Sequence, residues 1–313
     1  YVIDSLNADI PYRDFIVEQI AGDLLPSASD DEKARHAIAT GFLALGPKGL
    51  NEMNPRQYAA DVADEQIDTL SQAFLGLTIA CARCHDHKFD PISQRDYTAM
   101  AGIFLSTETH IGSPGGVGGR NRSTLIELPE RFADPQAHSP LSPREVADLN
   151  ARLERLREQR QELIAERGRE RIAGRPPTNP GPDFLRIQTQ LVNLETQLTQ
   201  FHPDGSLKAL AMGVRDKPRA SERGGLFARR LTQGLRFGMG VPPGPGAVPP
   251  DLQTIMDSPL LERGELAKAG ERVPRGLPVF FTSDARPQIP SDNSGRLELA
   301  KWIANRDNPL TAR

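Results

Sequence analysis

Cys81, Ala82, Arg83, Cys84 and His85 form a Cys-x-x-Cys-His box that contains both cysteines of the 313-residue chain. Two thiols three positions apart on one face of a helical turn can each form a thioether to a haem vinyl group, and the adjacent histidine can reach the iron as proximal ligand. The box therefore predicts covalently attached haem c, and with it an electron-transfer role. Met100 is the first candidate for the sixth ligand, because Met/His ligation raises the potential, and His110 is the second. Met100 also continues a stripe with Tyr97, Ala101 and Phe104, so plain packing competes with ligation. The carboxylates of Asp86 and Asp90 are near enough in sequence to orient His85 by accepting its other ring N–H.

Two other chemistries draw on the same residues. His85, His87, Asp86 and Asp90 can hold a divalent metal such as zinc while leaving a position for water, which is the pattern of a metal-dependent hydrolase. Cys81, Cys84, His85 and His87 would be a cramped tetrahedron, since structural zinc sites recruit ligand pairs from separated segments. The third alternative is a Cys81–Cys84 disulfide in a non-catalytic surface scaffold. These alternatives stay open at the level of the residues, as does whether the chain is an enzyme, and no catalytic residue is assigned.

Composition bounds the partners. A net charge of -3 argues against a polyanion-binding surface, so no nucleic-acid partner is expected. No run of about 18 uncharged apolar residues occurs, which excludes a transmembrane helix in this sequence. No charged-then-apolar segment marks a signal peptide either. The chain opens in mid-pattern at Tyr1 and stops at Arg313 without a closing signal, and it reads as a fragment of a longer protein. With 27 glycines and 27 prolines, modest packed units must alternate with irregular connections.

The elements that must position the box are helices. Pro11 opens one carrying Phe15, Ile16, Gln19 and Ile20, and a second starts near Asp30 and Asp31 and stops at Gly46 and Pro47. His36 on that second helix reads as a partly buried, hydrogen-bonded residue. Asn54 as cap and Pro55 at the first position start a third helix, whose stripe of Val62, Ile67, Leu70, Phe74 and Leu77 leads to Cys81. Ser93 and Asp96 form a capping-box variant at the start of a fourth. Gly112 to about Pro143 reads as a linker, its glycines lacking the strand and lysine of a phosphate loop.

Leu149, Leu153, Leu156 and Leu163 then alternate at three and four residues with Arg160 filling one seam position. Phe184, Ile187, Leu191, Leu194, Leu198 and Phe201 repeat the spacing on a return arm, predicting an antiparallel, coiled-coil-like hairpin. Leu207 to Val214 can form a strand, a basic stretch from Arg215 to Arg230 reads as solvated surface, and Pro242 to Pro250 reads as a linker. Ser294 caps a last helix with Leu297, Leu299, Ala300, Trp302 and Ile303. The expected class is mainly α. Residues 1–111 form a helical domain with the box, 112–142 a Gly/Pro-rich linker, 143–201 the hairpin, 202–283 an irregular region with few short strands, and 284–313 the truncated start of another domain.

The run from Phe74 through Cys81-Ala-Arg-Cys-His-Asp-His-Lys-Phe-Asp-Pro91, followed by Arg95, Asp96 and Tyr97, resembles the signature of the planctomycete cytochrome-like PSCyt/PSD family of exported proteins. Residues 1 to about 110 resemble its second PSCyt domain. Residues from about 206, especially Val273, Pro274, Arg275, Gly276 and Ser294 to Arg313, resemble the lead-in and opening of its PSD domain. The resemblance implies an extracytoplasmic location, periplasmic or at the cell surface. It also implies a redox partner protein or an upstream cytochrome domain of the same chain as partner. It supplies no reaction, because the family has none established.

Overall fold

The computed structural model describes residues 1–115, 121–133, 139–174, 181–219, 248–279, 289–308 and 310–311. The fold is mainly α with short strands. In chain order the helices are α1 (Val2–Asn7), α2 (Tyr12–Ala21), α3 (Asp30–Ala39), α4 (Pro55–Leu75), α5 (Gln94–Leu105), α6 (Pro143–Ile172), α7 (Pro182–Leu198) and α8 (Arg296–Ile303). The strands are β1 (Thr107–His110), β2 (Ile126–Glu127), β3 (Leu210–Ala211), β4 (Gly213–Asp216), β5 (Ser258–Leu261) and β6 (Ala269–Val273). Among the described residues no helix is long and apolar enough to cross a membrane.

The chain divides into two compact units. One comprises Tyr1–Gly49, Met53–His110 and Met212–Arg313, and the other Leu50–Glu52 and Ile111–Ala211. The first unit therefore takes in the C-terminal third that the sequence pattern assigns to an irregular region and a separate domain. The reason is packing: Leu299, Ala300, Trp302 and Ile303 of α8 are buried in one core with Ile16 and Ile20 of α2, Ile67 and Leu70 of α4, and Met100 and Ile103 of α5. Burying each large side chain of this kind stabilises the fold by about 1.5–3 kcal/mol.

Local signals set the helix limits. The Asn54 side chain accepts from the Arg56 N–H at 3.0 Å and Pro55 opens α4, as the sequence predicts. Gly76 ends that helix in the left-handed conformation at φ 66°, where a side chain would be strained. Ser93 and Asp96 complete a capping box at the start of α5. The last helix starts one residue later than expected: Gly295 is its cap at φ 96°, and the Ser294 hydroxyl accepts from the Arg296 N–H at 3.1 Å.

Arg296 ties α8 into the first unit. Its side chain is fully buried and bonds both oxygens of Asp23, at 2.8 and 2.7 Å, Asp216 Oδ1 at 2.7 Å, and the Ile20 carbonyl at 3.0 Å. Burial pulls its pKa down, and the Asp23 and Asp216 carboxylates more than offset that, so the guanidinium is held above its ordinary range.

The expected strand over Leu207 to Val214 is two strands with separate partners. β3 pairs antiparallel with β2 in the second unit, whereas β4 pairs antiparallel with β1 in the first, placing Glu108 opposite Arg215. β5 and β6 form an irregular antiparallel hairpin that belongs to the first unit.

In the second unit, α6 and α7 pack through Leu153 and Leu156 against Ile187, Leu191 and Leu194, with Leu149, Leu163 and Leu198 at the edges. Arg157 bonds Glu195 at 2.9 Å while Arg167, further along α6, stacks on Phe184, earlier on α7, so the two helices run antiparallel. The glycines at 116, 118 and 119, the basic stretch after Arg219, and Pro242 to Ala247 of the expected linker lie outside the described residues.

Candidate functional site

The box begins where α4 stops. After Gly76 and Leu77, residues Ile79–Arg83 form one 3₁₀ turn, in which residues three apart stack above one another. Ile79 and Ala82 are buried and point into the core. Cys81 and Cys84, also three apart, share the outward side, and both are exposed free thiols. The apolar-in, thiol-out pattern comes from this period: the core anchors the turn and leaves both sulfurs reachable.

His85 is exposed, and its Nδ1 lies 2.7 Å from the Asp86 carbonyl oxygen. A ring N–H donating there leaves Nε2 without a protein partner among the described residues and fixes the tautomer that a metal would need. The orienting acceptor is the Asp86 backbone. The Asp86 carboxylate, expected in that role, instead accepts from the Gln94 N–H at 2.8 Å, at the start of α5. Asp90 lies beside His87, at 3.4 Å from its Nδ1.

His87 is occupied on both nitrogens. Nδ1 accepts from the backbone N–H of Asp90 at 2.7 Å and of Phe89 at 3.2 Å, which makes it the unprotonated nitrogen. Nε2–H then donates to the Thr78 hydroxyl at 3.0 Å, and the His87 backbone N–H bonds the Ile92 carbonyl at 2.8 Å. His87 thus closes the loop after the box as a structural brace. His85, Asp86, His87 and Asp90 do not converge, and among the described residues no group of three or more His, Cys, Asp or Glu side chains is arranged to hold a metal ion.

Met100, the first candidate for sixth ligand and also a member of the Tyr97, Ala101 and Phe104 stripe, is fully buried in the core of the first unit. Withdrawing it would open a cavity there, at about 2–5 kcal/mol, so the geometry assigns it to packing. His110 is also buried, on β1 opposite Gly213, and burial lowers its pKa.

Four features of the site go beyond what the sequence predicts. Arg83, between the two cysteines, donates to Asp61 at 2.8 Å and Asp64 at 3.2 Å, both on α4. Asp64 also accepts from the Tyr97 hydroxyl at 2.6 Å. Burial, with the Asp64 charge beside it, pushes the Tyr97 phenol far above its ordinary range, so it remains a donor. Gln94 donates to the carbonyls of Arg83 and Leu261 at 3.0 and 2.6 Å, clamping the box to the β5–β6 hairpin. The i, i+3 spacing of Asp61 and Asp64 on the helix leading to the box is the available signal for the Arg83 pairing. Nothing local signals the fourth feature, Gly264, at φ +74°, where an added Cβ would sit 2.8 Å from Cys84 Sγ.

The residues fit a c-type haem in donor chemistry: two unpaired outward thiols at the required spacing, an adjacent histidine with one nitrogen held and one free, and a glycine cradle beside Cys84 that a Cβ would fill.

No curated protein and no solved structure matches the chain. Residues 1–109, about a third of the sequence, match the model of the PSCyt2 family, described as a protein of unknown function (DUF1549). The match covers the helices that build the box and the box itself, so this part of the chain is similar to a planctomycete PSCyt-type domain.

Proposed function

We propose that the first unit carries haem c on Cys81 and Cys84, with His85 as proximal ligand, and serves as an electron-transfer module of an exported protein. The observation that supports this reading most directly is the pairing of two exposed, unbridged thiols with a His85 ring whose Nδ1 is held by the Asp86 carbonyl. Bound there, the haem would supply a one-electron iron couple. The chain's own residues position it. Ile79 and Ala82 anchor the turn in the core, Gln94 fixes the Arg83 carbonyl, and His87 braces the loop behind His85. The sixth ligand comes from neither Met100 nor His110 as they are packed. An extracytoplasmic location and a redox partner, a separate protein or an upstream cytochrome domain, belong to the same proposal.

The exposed free thiols favour one second reading, a reversible Cys81–Cys84 dithiol. Expression of the chain in a periplasm with haem-maturation machinery separates the two. The haem reading expects a pyridine haemochrome spectrum and an intact mass increased by one haem, both lost in Cys81→Ser. A colourless product, made while a control cytochrome matures in the same cells, overturns it. A mass two hydrogens lighter under oxidant then supports the dithiol.

A further inference from the structure

Beside the box, α4, α5 and the β5–β6 hairpin enclose a cavity of about 360 Å³, within the range of about 300–1,000 Å³ typical of small-molecule sites. Much of its lining is apolar, with Ala63, Ala101, Leu105, Leu252 and Leu261 from four different segments. Cys81, Cys84 and His85 do not line it, so its occupancy does not depend on haem attachment.

The charged groups of its lining are unequally paired. Three guanidiniums, of Arg56, Arg83 and Arg272, face one carboxylate, of Asp251. Arg56 and Asp251 form a bidentate pair at 2.6 and 2.9 Å, and this hydrogen bonding, with a smaller contribution from the Arg272 charge, holds the Asp251 carboxyl below its usual range and therefore ionised. Arg83 is matched by Asp61 and Asp64. Arg272 donates through Nη1 to the Asp257 carbonyl oxygen at 2.6 Å, and among the described residues no carboxylate stands in salt-bridge contact with it. One cationic fork, that of Arg272, is left without a carboxylate partner at the rim of an apolar chamber, and a planar fork of this kind matches a carboxylate.

We propose that this cavity binds a small amphipathic monocarboxylate, its apolar body against the alanine and leucine wall and its carboxylate on Arg272. A single negative charge matches the single guanidinium without a carboxylate partner. A dianion would also meet the ionised Asp251.

Titration calorimetry of the full chain with octanoate, octylammonium and octan-1-ol tests the assignment. Octanoate is expected to bind at one site per chain and octylammonium not to bind. Arg272→Gln, at an exposed position, is expected to weaken octanoate about tenfold and leave octan-1-ol unchanged. Ala60→Phe, which fills the cavity, is expected to remove octanoate binding. Absence of octanoate binding to the unaltered chain, equal binding of octylammonium, or an Arg272→Gln variant that binds octanoate as tightly as its parent overturns the proposal. The Arg272→Gln arm decides the matter even if Ala60→Phe fails to fold.

Discussion

The Tyr97 hydroxyl donates to Asp64 Oδ1 at 2.6 Å, joining α5 to α4. The same carboxylate holds Arg83 through its other oxygen, so the phenol is one step removed from the backbone of the thiol-bearing turn. Tyr97 is buried, and Phe keeps its shape while removing one charge-assisted hydrogen bond. Tyr97→Phe is therefore expected to destabilise the fold by about 1.5–3 kcal/mol, read from urea unfolding. A change under about 0.5 kcal/mol would show that Asp64 is equally well satisfied without the phenol.

Arg296 is the stronger tie, because it joins α8 to Asp23 and Asp216, which lie 273 and 80 residues away in sequence. Arg296→Met preserves much of the side chain's length but leaves both carboxylates facing a neutral group. Breaking a buried pair from one side costs about 3–5 kcal/mol, so the variant should melt well below its parent by circular dichroism. An unchanged midpoint would mean that the C-terminal segment is not integral to the first unit.

Acid should weaken the fold through its buried histidines. Burial is the largest cause lowering the pKa of His36 below its ordinary 6.5, with Arg35 adding to it and Glu18 and Glu32 opposing, and burial lowers His110 in the same way. The unfolded chain then binds protons before the folded chain does. Stability is full above pH 6.5 and falls as pH drops from there towards the folded-state values, by up to about 1.4 kcal/mol per pH unit for each group. Urea unfolding at pH 7.5 and 5 measures that slope, and His36→Gln should flatten it. A variant with the parent's slope refutes the assignment to His36.

Legibility in the sequence tracks how local each signal is. The start of α4 was readable because Asn54 and Pro55 act within one turn, and the start of α5 because Ser93 reaches Asp96 three residues on. The box was readable as a box, and the apolar stripe ending before Cys81 placed it beyond a helix. The brace role of His87 was hidden, since its partners Thr78 and Asp90 look like any loop residues until the chain folds back. Met100 was ambiguous in principle, because a ligand and a core residue occupy the same helical spacing. The union of residues 212–313 with the first unit was hidden because, besides the apolar face of α8, it uses Arg296, a charged residue that sequence statistics place on the surface.

His85 and His87, two positions apart, should respond unequally to replacement. His85 is exposed and its ring makes one bond, to its neighbour's carbonyl, so His85→Ala is expected to change folding stability by no more than about 0.5 kcal/mol. His87 satisfies two backbone donors and one hydroxyl while little of its side chain reaches solvent, and His87→Ala leaves those donors without their acceptor. That loss should cost about 1–3 kcal/mol. The iron-ligand assignment adds a second contrast in chain matured with haem: His85→Ala alters the haem absorption spectrum, whereas His87→Ala preserves it in whatever fraction folds. Equal destabilisation by the two variants, or a spectrum that shifts with His87 and not with His85, would reverse the roles given to the two rings.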